Sequence, residues 1–447
     1  MKIAVLGAGE SGVGAALLAK AKGLEVFVSD MGAIKEVYKQ KLTEAGIDFE
    51  EKTHTVERIL EANEIIKSPG IPDKAPIIKE AVAKGIKIIS EIEFAGRYTD
   101  AKFICITGTN GKTTTTLLTY HLLKSAGLNV GLAGNIGESL AEKVIENKYE
   151  FYVLELSSFQ LDNMYQFKAH IAVLLNITPD HLDRYEYSME KYAASKLRVA
   201  QNMMGSDFFI FNADDQNIKA AFKSEAFGGT TVPISLEGAP DAKVRYEGSH
   251  VKVDVQFYEG DVETAKSPLI GKHNQYNTMA AVTVAKLMGI ADATIAAALE
   301  TFRNAEHRLQ PVGEAKGVTY INDSKATNVE AVWYALEGIK KPIIWIAGGV
   351  DKGNDYSVLE DLAREKVKVL ICLGTDNKKL QEAFGRIVPV VAETTSINYA
   401  VRLARSLAEQ GDVVLLSPAC ASFDLFNNYE HRGQLFKEAV EKIVLKK

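Results

Sequence analysis

Short apolar runs alternate with helix-period stretches along almost the entire chain. In the first ninety residues, Ile3 to Leu6, Val26 to Val28, Ile65 to Ile66 and Ile86 to Ile89 read as strands, and Val13 to Ala21 reads as a helix between them. That rhythm predicts a small open α/β sheet. A second set, Phe103 to Ile106, Tyr152 to Leu154, Ile171 to Leu175 and Phe208 to Phe211, has the unbroken apolar character of strands buried on both faces of a largely parallel sheet. From Val244 to Val262 the pattern turns to polar alternation with glycines, which predicts a small antiparallel addition. After Arg303 the α/β rhythm returns at Val318 to Ile321, Ile343 to Ala347, Val369 to Leu373 and Val413 to Leu416. The expected fold class is α/β in three domains, 1–95, 96–303 and 304–447, matching about 150 residues per domain for a chain of 447.

Composition narrows the function classes. Hydrophobic residues make up 47% and charged residues 25%, so the chain can build cores and is neither disordered nor fibrous. Lys and Arg number 52 against 58 Asp and Glu, which leaves no basic excess for a nucleic-acid partner. No stretch approaches the roughly 18 uncharged apolar residues of a membrane helix. The segment Met1 to Ala19 is interrupted by four glycines and Glu10, so a cytoplasmic protein with no membrane partner is expected. Cys105, Cys372 and Cys420 are too scattered for a disulfide framework or a zinc site and read as small buried residues.

Two glycine loops carry candidate chemistry. Gly7, Gly9 and Gly12 follow a strand and open a helix, and Asp30 ends the next strand, as in a dinucleotide fingerprint. The same physics serves a nicotinamide cofactor, a UDP-type diphosphate or a purely structural turn. Thr107-Gly108-Thr109-Asn110-Gly111-Lys112-Thr113-Thr114 lies between a strand and an apolar helical run. Its backbone N–H groups suit phosphate oxygens, Lys112 suits the β and γ groups, and the Thr113 hydroxyl suits Mg²⁺. Two residues separate Gly108 from Gly111, where the standard phosphate loop has four.

A third feature is a lysine on an apolar stripe. A helix from the N-cap Ser188 to about Met203 places Met189, Tyr192, Ala193, Ala200 and Met203 on one face, with Lys196 at its centre and Lys191, Arg198 and Asn202 opposite. The Lys196 head either snorkels to solvent, pairs with a carboxylate, or loses its proton and becomes nucleophilic enough to be carbamylated by CO₂. His181, beyond the strand Ile171 to Leu175, is either a surface group or a nitrogen donor to Mg²⁺. Glu155 closes another apolar run and offers a carboxylate to Mg²⁺ opposite Thr113. In the last domain Thr327 and Glu330 have capping-box spacing. Three strand-end loops, Asn322 to Asn328, Gly348 to Gly353 and Ser417 to Phe423, suggest the second half of an active site.

These strings, Thr107 to Thr114, Glu155 to Leu161, Asp180 to Tyr185, His273-Asn274, His307-Arg308, Asn322 to Asn328 and Ser417 to Ser422, resemble the ATP-dependent Mur ligases over nearly the whole chain. Ser157 to Leu161, Asn322 to Asn328 and Ser417 to Ser422 are most similar to the members that add D-glutamate. The resemblance implies a Rossmann-like N-terminal domain for UDP, a central P-loop ATPase domain, and a Rossmann-like C-terminal domain for the amino acid. It also implies a monomer that joins UDP-N-acetylmuramoyl-L-alanine to D-glutamate through an acyl phosphate in peptidoglycan precursor synthesis, using ATP and two Mg²⁺ ions. It assigns Gly108, Thr109, Asn110, Gly111, Lys112, Thr113, Thr114, Asn274, Asn277, Arg308 and Asp323 to ATP. Catalysis falls to Lys112, Glu155, His181 and Lys196, and metal binding to Thr113, Glu155, His181 and a carbamylated Lys196. Gly9, Glu10, Ser11, Gly12, Asp30, Ser68 and Asn135 would face the UDP-sugar, and Lys325, Thr327, Lys352, Ser422, Phe423 and Tyr429 would face D-glutamate. Met31-Gly32 departs from members that place a cationic or polar residue beside uracil. The competing readings are a folylpolyglutamate-type ligase of the same superfamily, a nicotinamide-dependent oxidoreductase, and a non-catalytic nucleotide sensor.

Overall fold

The computed structural model describes residues 1–222 and 227–444 and contains three sheets. The first has five parallel strands, Lys2–Leu6, Glu25–Asp30, Asp48–Glu51, Glu64–Lys67 and Lys87–Ile89, in spatial order third, second, first, fourth, fifth. Its order reverses at Lys2–Leu6, so the glycine turn that follows opens into the crevice between Asp30 and Ser68.

The second sheet has nine strands. Lys102–Thr107 lies between Phe151–Glu155 and Ile171–Leu174, which makes a second reversal point and puts the phosphate loop on it. Val130–Gly134 forms one edge, and Phe208–Asn212 and Thr230–Ser235 extend the other side in parallel. The expected antiparallel addition is present: Val244–Glu247 joins in parallel through Ile234 and Val244, then pairs antiparallel with His250–Val253, which pairs with Gly260–Glu263.

The third sheet takes Gln310–Ala315, Val318–Asn322, Ile343–Ala347, Val367–Leu373, Val390–Thr394 and Val413–Leu416, in spatial order first, second, sixth, third, fourth, fifth. The first pair is antiparallel and the others are parallel. Alternate residues of Ile343–Ala347 face opposite cores, with Trp345 in one and Ile344 and Ile346 in the other. Among the described residues no helix is long and apolar enough to cross a membrane, and all three cysteines are buried and reduced.

The chain divides into two compact units, Met1–Ser267 with Tyr276–Phe302, and Pro268–Gln275 with Arg303 onward. Inside the first unit, the short helix Glu91–Ala95 joins the first two sheets through buried carboxylates. Glu91 Oε1 accepts from Ser139 Oγ at 2.7 Å and Ala141 N at 2.6 Å, capping the helix Leu140–Glu146 from outside. Glu93 accepts from the backbone N–H groups of Tyr165, Gln166 and Phe167. Helix Glu10–Ala21 packs beside Leu140–Glu146, and a side chain at Gly14 would collide with Ser139.

Burial pushes the Glu91 carboxyl up to about 7. The folded state therefore keeps this proton to higher pH than the unfolded chain. The destabilisation begins above the ordinary carboxylate range near pH 4.5, grows as pH rises, and is complete above 7. Glu91→Gln keeps an acceptor for Ser139 and Ala141 but removes the titration. Between pH 5 and pH 8 the variant should gain on wild type by on the order of 3 kcal/mol. Scanning calorimetry would show this as a difference of several degrees in Tm, and parallel pH curves for the two proteins would refute it.

Candidate active site

The phosphate loop is built from backbone that few side chains tolerate. Gly108 has φ +154° and Gly111 has φ +83°. A Cβ on Gly111 would stand 2.4 Å from Asn277 Oδ1. The loop is pinned from the next strand's end: Asn110 N donates to Asn176 Oδ1 at 2.8 Å, and Asn176 Nδ2 donates back to Asn110 O at 3.0 Å. Thr109 Oγ1 accepts from Thr178 N at 3.0 Å. Helix Lys112–Ser125 starts directly after Gly111, with Thr113 and Thr114 buried in its first turn.

Two lysines meet on this loop. Lys112 Nζ donates to Gly108 O and Thr109 O, both at 2.8 Å, and Lys196 Nζ donates to the same Gly108 O at 2.9 Å. Lys196 is only 1% exposed, and its amine also lies 4.7 Å from the Tyr192 ring centroid. Of the three outcomes open to this residue, snorkelling is excluded by burial. Burial first, and the neighbouring Lys112 charge second, drive its pKa far below the ordinary lysine value. Its helix is Met189–Leu197, shorter than expected: Ser188 is the N-cap, but Arg198–Ala200 tightens to a 3₁₀ turn and Asn202 is left-handed, which ends the run before Met203. Arg198 is not on a solvated face either, because its guanidinium donates to the carbonyls of Leu161 and Met164.

Glu155 stands at the end of its strand, buried. Oε1 accepts from Asn135 Nδ2 at 2.7 Å, while Oε2 is buried with no hydrogen-bond partner. A buried carboxylate oxygen left open in this way fits a hard cation, with the Thr113 hydroxyl as a second oxygen donor. Among the described residues there is no cluster of three or more His, Cys, Asp or Glu suited to a metal ion. Mg²⁺ keeps water and phosphate ligands beside one or two carboxylates, so the Glu155 carboxylate and the Thr113 hydroxyl suit it. His181 is left-handed at φ +52°, its side chain is 45% exposed, and its ring meets the edge of Phe159. The Ser-Ser-Phe-Gln string has a structural explanation as well: Ser157 and Gln160 form a capping box.

A separate cavity of about 750 Å³ lies at the first sheet's reversal point, lined by Gly7, Gly9, Ser11, Asp30 and Ser68 among others. Asp30 accepts from Ala8 N at 2.6 Å and Gly32 N at 2.7 Å, one on each oxygen, so it ties the glycine turn to its own strand end. Gly12 is buried against Gly7, whose carbonyl leaves no room for a side chain. Glu10 does not line this cavity and faces the charges of Glu142 and Lys41. Asn135 is likewise absent from the lining and belongs, by its bond to Glu155, to the phosphate-loop cluster.

In the second unit, Asp323 accepts from Ser417 Oγ at 2.8 Å and Leu309 N at 3.1 Å, and burial pushes its carboxyl up to about 7. Arg308 is its nearest cation. Asn274 Nδ2 donates to Ile270 O at 2.8 Å. The Lys325 ammonium lies 5.3 Å from the Tyr429 ring centroid. Ser422 is buried, Lys352 is exposed, and Phe423 is 72% exposed. The predicted Thr327–Glu330 capping box is not formed: Asn328, an equally good or better cap, sits one residue later and accepts from Ala331 N at 2.9 Å.

The residue that organises this half has no sequence signal. Arg432 is 1% exposed, in the helix Tyr429–Val444. Its guanidinium donates to Ser324 Oγ and O, Gly348 O and Cys420 O, joining all three strand-end loops. Burial lowers its pKa to about 10, so it stays charged at neutral pH.

The phosphate loop, the buried lysine and the glycine turn at two sheet reversals define the chain's class: it belongs to the Mur ligase family. The Mur ligase middle domain matches residues 106–285, the Mur ligase glutamate ligase domain 307–420, and the Mur ligase MurD-like N-terminal domain 1–90. The UDP-N-acetylmuramoylalanine--D-glutamate ligase of Bacteroides fragilis is 53% identical over 443 residues, covering 99% of this chain and all of its own. That of Christiangramia forsetii is 50% identical and covers 99% of both chains. A pseudomurein peptide ligase type C from Methanothermus fervidus shares the fold, with a TM-score of 0.63 at 21% identity over 99% of each chain.

Loss of Arg432 should loosen the second unit as a whole. Arg432→Met leaves several buried carbonyls unsatisfied and should cost on the order of 4 kcal/mol, with Arg432→Lys falling between it and wild type. The chain's two tryptophans, Trp333 and Trp345, both belong to this unit, so urea unfolding followed by tryptophan fluorescence reports on it. An unchanged midpoint in Arg432→Met would contradict the role.

Proposed function

We propose that this chain is an ATP-dependent ligase that joins D-glutamate to UDP-N-acetylmuramoyl-L-alanine in the cytoplasm, as a step of peptidoglycan precursor synthesis. The observation that carries the reading is the convergence of Lys112 and a buried Lys196 on the Gly108 carbonyl, backed by 53% identity to a D-glutamate ligase over 99% of the chain. We assign residues 1–95 to the UDP-sugar, 96–303 to ATP and 304–447 to D-glutamate.

A carboxylate is a poor electrophile, so the alanyl carboxylate first takes the γ-phosphoryl group of ATP to give an acyl phosphate and ADP. The amine of D-glutamate attacks the acyl carbon, and the tetrahedral adduct expels phosphate as the amide forms. Lys112 and the loop N–H groups hold the phosphates in line, which is the main demand of phosphoryl transfer. Glu155 and Thr113, with His181, would hold Mg²⁺, which when bound neutralises charge on the phosphoryl oxygens. A neutral Lys196 amine adds to CO₂ and loses a proton, leaving a carbamate anion in place of a cation beside the loop. Asn274, Asn277, Arg308 and Asp323 fall to the nucleotide, and Lys325, Thr327, Lys352, Ser422, Phe423 and Tyr429 to D-glutamate, whose carboxylates suit the two lysines. Asp30, with each oxygen already bonded to a backbone amide, is poorly placed to serve a nicotinamide ribose.

Incubation with ATP, D-glutamate and the UDP-muramoyl-alanine acceptor should release one phosphate per amide formed. An absorbance change with NAD(P)H and no phosphate release would reverse the assignment to the oxidoreductase class. Lys196→Ala should lower turnover by at least about a hundredfold. The wild type should slow in CO₂-depleted buffer and recover with bicarbonate. Full activity of Lys196→Ala would reject the carbamate role.

A further inference from the structure

One polar chain at the cavity of the first sheet is unused by the proposed chemistry. Ser29 is fully buried and its Oγ lies 2.6 Å from Glu50 Oε1 and 2.6 Å from His54 Nδ1. Glu50 is otherwise engaged by Thr55, through N at 2.7 Å and Oγ1 at 2.6 Å. Although burial acts to raise it, the hydrogen bonds from Ser29 and Thr55 hold this carboxyl below its ordinary value, so it is an acceptor only. The single Ser29 hydroxyl proton goes to Glu50 at 2.6 Å rather than to Thr53 O at 3.3 Å, because otherwise two lone pairs would face each other at the shorter distance. Ser29 Oγ is left to accept, and the His54 Nδ1 carries the proton it accepts.

Burial lowers the His54 pKa, against the opposing charges of Glu50 and Asp30, so the ring is neutral at pH 7. In a neutral imidazole with its proton on Nδ1, Nε2 is a bare acceptor. His54 lines the cavity, and among the described residues its ring is hydrogen-bonded to Ser29. The cavity also offers a glycine turn for a diphosphate and an apolar wall of Val56, Ile71 and Ile77.

We infer that His54 selects the base of the uridine diphosphate moiety, its Nε2 accepting the imide N3–H of uracil. This rests on the reading of the cavity as the UDP site. Uracil presents a donor at N3, whereas cytosine presents a lone pair there, so a fixed acceptor favours the first and repels the second. The Glu50–Ser29 pair is the device that fixes the tautomer, and Met31-Gly32 on the neighbouring strand end supplies no competing polar side chain.

Calorimetric titration of the full-length protein with UDP, CDP and N3-methyl-UDP, in wild type and in His54→Phe, tests this. Wild type should bind UDP about tenfold more tightly than either analogue, and His54→Phe should bind all three within a factor of about two. If His54→Phe keeps the wild-type preference, or if wild type itself binds UDP and N3-methyl-UDP alike, the role of His54 is overturned while the cavity remains a UDP site. If wild type fails to bind UDP at all, the assignment of the cavity falls and the inference with it. The wild-type comparison of UDP with its N3-methyl analogue stands even if the variant misfolds.

Discussion

One carbonyl oxygen of the phosphate loop receives two lysine nitrogens, and the surrounding structure is arranged around that contact. Gly108 O accepts from Lys112, which belongs to the loop, and from Lys196, which reaches it from a helix more than eighty residues later in the chain. Two ammonium groups share one oxygen in a water-poor interior only at high cost, so burial and the neighbouring Lys112 charge drive the pKa of the more deeply buried one well down. The surroundings hold this arrangement in place. Tyr192 OH lies 3.2 Å from Thr109 Oγ1, and Tyr185 donates to the half-buried Asp162 at 2.9 Å.

Elsewhere the fold handles buried charge in the opposite way. Glu93 and Arg432 are nearly inaccessible, yet each is satisfied mainly by backbone groups of another element. Backbone amides and carbonyls left open at helix starts and strand ends must find partners when buried. A long side chain from a neighbouring element supplies several at once. The result ties one sheet's loops to a helix that is remote in sequence.

Most of the architecture was legible as apolar periodicity. The interior strands are buried on both faces and so carry unbroken runs of Ile, Val, Leu and Phe. The strands that periodicity missed are mostly edges. Asp48–Glu51, Val130–Gly134, Gln310–Ala315 and Val390–Thr394 each lie at the side of a sheet, where half-exposed residues, glycines and charges replace the apolar signal. Thr230–Ser235 is interior but contains Pro233, which reads as a strand breaker. In the site, the glycine loops and Lys196 were legible because their residue types conflict with their local pattern. Arg432 was not, because it lies among other charged residues of its helix and only the tertiary fold shows that it turns inward. His54 was equally silent, since its significance lies in a hydroxyl and a carboxylate that come from two other strands.

The glycine turn after the first strand shows why a spacing motif cannot choose its own ligand. Three glycines and a strand-end acid are present, and by spacing alone they admit a dinucleotide, a diphosphate or an empty turn. What separates these is where the acid's oxygens point. Asp30 spends both on Ala8 N and Gly32 N, so the carboxylate that would grip a ribose in a dinucleotide site here stiffens the turn itself. In the proposed reading, recognition comes from farther along the cavity wall, where the tautomer-fixed imidazole beyond the neighbouring strand offers an acceptor. On that reading the same fold element serves the diphosphate while the choice of base passes to a residue outside the motif.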